Sequence, residues 1–174
     1  MIASLEDEAL AQVARAKFYV GAGGVLFSLM YIIFAIIQLR DPWRLLHHSP
    51  FRLILSSSLT VAAEILAAVA IALATTSLVG FQLYEATQTK RAKLVLMSSV
   101  SLAVIVFGFW VTSTISLAML NPVQITGVPF LRIFWRPIVP GLFVLGVIWT
   151  IDGLKNMRRE LSQLRSVKYS LKQA

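Results

Sequence analysis

The sequence predicts an all-α membrane protein, a bundle of four transmembrane helices followed by a C-terminal amphipathic helix on the cytoplasmic side. Three observations carry that prediction. Of the 174 residues, 57% are hydrophobic and 14% charged, and the mean hydropathy is +0.77, more apolar surface than a soluble chain of this size can enclose. The apolar residues gather into four stretches, each near the roughly 20 residues a helix needs to cross a hydrocarbon core about 30 Å thick. What lies between them is short loops and one tail, with no room for a separate soluble domain.

The first segment, residues 1–17, places Glu6, Asp7 and Glu8 early and Arg15 and Lys17 late, an order that suits a helix dipole. The apolar run that follows is too long for a secretory leader and ends in QLRDPW rather than a small-residue cleavage site, so it reads as a retained span. Spans are expected at about 18–39, 53–80, 94–120 and 138–154, making 18–154 the membrane domain. Residues 155–174 form a basic tail. In it Met157, Leu161, Leu164, Val167 and Leu171 recur at helical spacing among six Lys and Arg, the pattern of an amphipathic helix that lies on anionic lipid or docks on a partner.

Eleven of the sixteen Lys and Arg fall in the N-terminus, the second loop and the tail, which places both termini in the cytoplasm by the positive-inside rule. The other two loops mix arginine with aromatic residues and proline. Trp43 and Arg44 in the first, and Arg132, Trp135 and Arg136 in the third, suit headgroup level, where the rings sit in the interface and the guanidinium groups reach lipid phosphate or a partner. Arg158, Arg159 and Arg165 of the tail are assigned the same kind of contact. A net charge of +8 distributed in this way points to membrane surface and orientation, not to nucleic acid.

With no cysteine in the chain, disulfides, thiolate metal sites and cysteine nucleophiles are excluded. His47 and His48 are the two histidines and both lie in the first loop, outside any span, so they read as solvated and supply no haem ligands at mid-bilayer depth. No intrinsic cofactor or metal is expected. Asp152 reads as an interfacial residue paired with Lys155 one turn away.

Glu64 is the ionisable side chain within the second span, and burying a lone charge there is expensive. Thr60 lies one turn away on the same face. In the third span Ser98, Ser101, Gly108, Thr112 and Ser116 fall near one face, and the two polar stripes are expected to meet, with Glu64, Thr60, Ser101 and Thr112 as a candidate intramembrane polar site. The carboxyl is expected to be neutral, since neither span holds a Lys or Arg to keep its charge. It then serves either as a proton, cation or polar-substrate site or as a packing contact. Gly21, Gly23 and Gly24 with Ser28, and Gly146 with Thr150, are small enough to let another helix approach closely.

Without a nucleophile constellation, metal cluster or phosphate loop, the chain does not read as an autonomous enzyme. The expected role is an accessory or scaffolding subunit of a larger membrane complex, in contact with lipids and with other membrane subunits or copies of itself. The alternative is a homo-oligomeric channel or transporter subunit with a polar path around Glu64. The charge asymmetry generates one direct prediction: reporters fused to either terminus are accessible from the cytoplasmic side, and a reporter reached only from outside reverses the topology.

Overall fold

The computed structural model describes residues 2–81, 90–120 and 130–173, and among these there is helix and turn but no strand. Helix α1 spans Ile2–Arg40, a 3-10 turn spans Ser49–Leu53, and α2, α3 and α4 span Ser57–Val79, Lys90–Leu120 and Phe130–Gln173. Four stretches within them, Asp7–Arg40, Ser57–Val79, Arg91–Leu120 and Ile138–Leu164, are long and apolar enough to cross a membrane. The fold is therefore a four-helix membrane bundle in which every span satisfies its own backbone, as hydrocarbon requires.

The outer helices are longer than a span. The segment expected at 1–17 and the first span form one helix of 39 residues, about 58 Å long at 1.5 Å per residue. Nothing between Ile2 and Arg40 is a proline. Likewise the fourth span and the tail form one helix of 44 residues, about 66 Å long. Both exceed the ~30 Å hydrocarbon core, and at the terminal end Ala9 and Gln12 of α1 line a groove with Met157, Leu161 and Leu164 of α4. Ala9 and Val13 are buried there.

Helix α2 is the centre of the bundle, with half of its apolar window buried against about a quarter in the other three. Its small residues make this possible: Ala63, Ala67, Ala70 and Ala74 are all buried and let neighbouring backbones come close. The helix begins at Ser57, later than the expected Leu53, because Ser56 adopts an extended conformation and its hydroxyl accepts from the Leu59 N–H at 3.3 Å. That is an N-cap, and the residues before it close a separate turn. At the other end Lys17 of α1 donates to the Val79 carbonyl at 3.0 Å, placing a cation where the helix dipole favours one.

Against α2, helix α3 buries Ser99, Ala103, Val106, Trp110, Ser113 and Leu117. The alternating spacing of four and three is the seam of a packed helix pair. Ser99 Oγ donates across it to the Ala70 carbonyl at 2.7 Å, Ser77 Oγ donates to the Ala92 carbonyl at 3.3 Å, and Ser28 Oγ of α1 donates to the Ala68 carbonyl at 3.3 Å. Serine is the small polar contact between these helices. The threonine hydroxyls of Thr60, Thr75, Thr76, Thr112, Thr114 and Thr150 instead donate to carbonyls three or four residues back on their own helix, which leaves them no need for a neighbour.

Of the small residues singled out in the sequence, Gly24 carries the close approach. A Cβ built there meets Thr75 Oγ1 at 1.9 Å and Phe143 Cζ at 2.8 Å, so α1, α2 and α4 converge at that point. A Cβ at Gly23 or Gly146 meets nothing within 4 Å, and Gly146 with Thr150 therefore makes no close contact inside the bundle. Gly24→Ala is expected to lower stability by about 1–3 kcal/mol through overpacking, with partial recovery in a Thr75→Ala background, whereas Gly146→Ala stays within about 0.5 kcal/mol. Thermal unfolding in mild detergent compares the three.

Candidate functional site

The first loop folds inward. After α1 ends, Asp41, Pro42, Trp43 and Arg44 make a turn closed by the Arg44 N–H on the Asp41 carbonyl at 3.3 Å, and Trp43 takes a φ of +71°. That left-handed conformation disfavours a bulky residue by about 1–2 kcal/mol. It aims the Trp43 N–H at Gln38 Oε1, 3.3 Å away. The chain then runs through a second turn at Leu45–His48 into the 3-10 turn, which carries His48 and Phe51 beneath the loop, 0% and 1% exposed.

Glu64, also 0% exposed, stands seven residues inside α2, about 10 Å from its start. Its partner is not a hydroxyl of the third span. Oε1 lies 2.9 Å from His48 Nε2, and the other nitrogen of that ring, Nδ1, lies 2.9 Å from Gln38 Oε1. Gln38 Nε2 donates to Ser57 Oγ at 3.2 Å, while Ser57 Oγ donates back to the Gln38 carbonyl at 3.2 Å. Three helix ends and a loop are tied together through one imidazole. The His48 ring also stacks on Trp110 of α3, with centroids 5.8 Å apart and an interplanar angle of 5°, and Phe51 meets the same indole edge-on at 5.3 Å.

The donors and acceptors can be assigned in order. The Trp43 N–H can only donate, so the end of the Gln38 amide that it meets is the oxygen. A carboxamide oxygen can only accept, so His48 Nδ1 carries a proton. The remaining contact, Nε2 to Glu64 Oε1, then holds a single proton that resides on one atom or the other: neutral imidazole with a carboxylic acid, or imidazolium with a carboxylate. Either arrangement is neutral as a pair, which is what allows a carboxyl and an imidazole to share a site without water.

Sequence reasoning identified Glu64 as the group that needed explaining and missed what explains it. Thr60 is buried one turn from Glu64 and bonded to the Ser56 carbonyl at 3.3 Å. Ser101 and Thr112 are exposed on the outer surface of α3, as are Ser98 and Ser116. The expected stripe is rotated away from Glu64, and Thr112 satisfies its hydroxyl on the Gly108 and Phe109 carbonyls at 2.8 and 3.0 Å. His48 and Gln38 are the members of the site that were not anticipated. The signal available was their position: Gln38 is polar within the last turn of α1, and His48 stands just before the Pro50 that opens a 3-10 turn.

The interfacial residues divide. Arg44 is well exposed and reaches Asp41 at 3.6 Å, a pair of little energetic weight in water. Trp43 is half-buried and packs against the core around Phe51 and Trp110. Trp135 is half-buried, edge-on to Phe34 at 6.5 Å, and Phe34 in turn faces the half-buried ring of His47 at 5.6 Å. Arg159 is exposed and Arg158 half-buried, and Asp152 holds Lys155 at 3.0 Å as expected. The side chains of Arg132, Arg136 and Arg165, and the second and third loops at 82–89 and 121–129, lie outside the described residues. Among the described residues no three His, Asp or Glu side chains converge as metal ligands.

Glu64→Leu leaves His48 Nε2 buried against a methyl group and is expected to destabilise the bundle by about 1–3 kcal/mol. Glu64→Gln keeps a hydrogen bond to that nitrogen and is expected to cost less. Combined with His48→Leu, the Leu variant should show a coupling energy of about 0.5–3 kcal/mol, and additivity within 0.3 kcal/mol would separate the two residues energetically. Comparison with known proteins adds no template for the site, since no protein-family model, curated protein or solved structure matches the chain.

Proposed function

We propose that the protein is a non-catalytic accessory subunit of a larger membrane assembly, and that it docks other membrane helices on the outer face of α3. The observation that carries this reading is the orientation of the hydroxyls. Ser98, Ser101, Thr112 and Ser116 line the side of α3 turned away from its own bundle, where the neighbours are lipid or another protein. Polar and small residues on such a face suit close helix contact. Glu64, by contrast, has no exposed surface and is engaged with His48 at 2.9 Å, an arrangement suited to holding the loop in place rather than to passing a substrate. The channel reading loses the polar path it requires, because Ser101 and Thr112 do not face the carboxyl.

Purification in mild detergent followed by mass analysis of the intact assembly is the test. Foreign membrane subunits should appear in fixed ratio. Replacing Ser98, Ser101 and Ser116 together by Leu should reduce their recovery by about tenfold or more, equivalent to roughly 1.4 kcal/mol of association free energy, with the monomer's helix content unchanged. A clean homo-oligomer whose ion or proton flux is lost in Glu64→Gln would overturn the accessory reading in favour of a channel.

A further inference from the structure

We propose that the first loop is latched to the bundle by the single proton shared between His48 Nε2 and Glu64 Oε1, so that release of the loop is a proton-linked event. The geometry restricts the latched state to one proton at that contact. With two, an N–H and an O–H face each other and no acceptor remains. With none, the nitrogen lone pair faces a carboxylate across 2.9 Å. Neither holds the loop, because His48 Nδ1 is committed as a donor to Gln38.

Released into water, the same two side chains titrate independently, the carboxyl near pH 4.3 and the imidazole near pH 6.5 as approximate model values. The sign follows from counting protons. Between about pH 4.3 and 6.5 the released form also carries one proton, and the latch is tightest and indifferent to pH. Above about pH 6.5 the released form carries none while the latched form keeps its own, so alkali favours release by up to tenfold per pH unit. Below about pH 4.3 the released form carries two, and acid favours release.

The surroundings contribute one further imidazole. Facing the pair are Gln38 from α1, with Tyr31 in the same core; Thr60 from α2; Trp110 from α3; Val139 from α4; and His47 from the loop, its ring 4.5 Å from that of His48. His47 titrates in the same range once wet, so its part has to be measured separately. The turn at Trp43 adds a bias toward release, since its left-handed backbone is held by the contact to Gln38 Oε1 and can relax when the loop leaves.

The full chain in phosphatidylcholine nanodiscs, followed by hydrogen exchange of residues 41–56 from pH 5 to 9, tests the latch once intrinsic exchange is divided out. The wild type should show an opening constant that is flat to about pH 6.5 and then rises by up to tenfold per unit. Glu64→Gln should reverse the dependence. Its amide donates to an unprotonated His48, so the latched form carries no titrating proton, and opening should rise as pH falls below about 6.5 and stay flat above it. His47→Asn should keep the wild-type slope. A wild-type profile flat from pH 6.5 to 8.5, the same profile in Glu64→Gln, or a slope that disappears in His47→Asn would each overturn the proposal. Selective ¹⁵N-histidine labelling gives a second readout that needs no variant, since the chain has two histidines: His48 should keep Nδ1 protonated from pH 5 to 8, and a ring with bare Nδ1 and protonated Nε2 sinks the assignment.

Discussion

A carboxyl group with no exposed surface has to find its partner inside the protein, and here that requirement organises the whole loop end of the bundle. His48 reaches Glu64 because the first loop turns inward at Trp43. Trp43 can take its left-handed backbone because Gln38 receives its N–H, and Gln38 is held in place by Ser57 at the start of α2. Each contact presupposes the next. The π-face of Trp110 closes the arrangement from α3, so that three helices and the loop share one hydrogen-bonded and stacked unit of low polarity overall.

The spans were legible because hydropathy and length are properties of consecutive residues, and lipid leaves a chain few ways to cross it. Glu64 was legible for the same reason, as a polar residue where apolar ones are expected. Its partner was not. Periodicity reports which residues share a helix face, and His48 shares no helix with Glu64; it is brought there by a reverse turn whose geometry depends on a tertiary contact. The phase of α3 was misjudged for a different reason. Hydroxyls that can bond their own carbonyls are cheap on any face of a helix, so Thr112 carries almost no information about what it faces, whereas Ser99, which bonds across to Ala70, carries a good deal.

The division of labour between serine and threonine is a packing effect. Threonine's methyl fixes its rotamer in a helix and favours the bond to the preceding turn. Serine has no such methyl and fits where backbones nearly touch, as Ser28 does at the level where Gly24 admits Thr75 and Phe143. The central α2, rich in alanine, is the surface on which these contacts are made.

Helix α1 has one further property that follows from its continuity. Gln38, which fixes the direction of every hydrogen bond in the buried chain, lies near one end of the helix, and Ala9, packed against the distal part of α4, lies near the other. Along a rod about 43 Å between those residues there is no proline and no break. A stiff member seated at both ends transmits axial displacement and rotation with little loss, as a pushrod does, so a load applied to the projecting helix pair arrives at the amide of Gln38 as a shift in hydrogen-bond length.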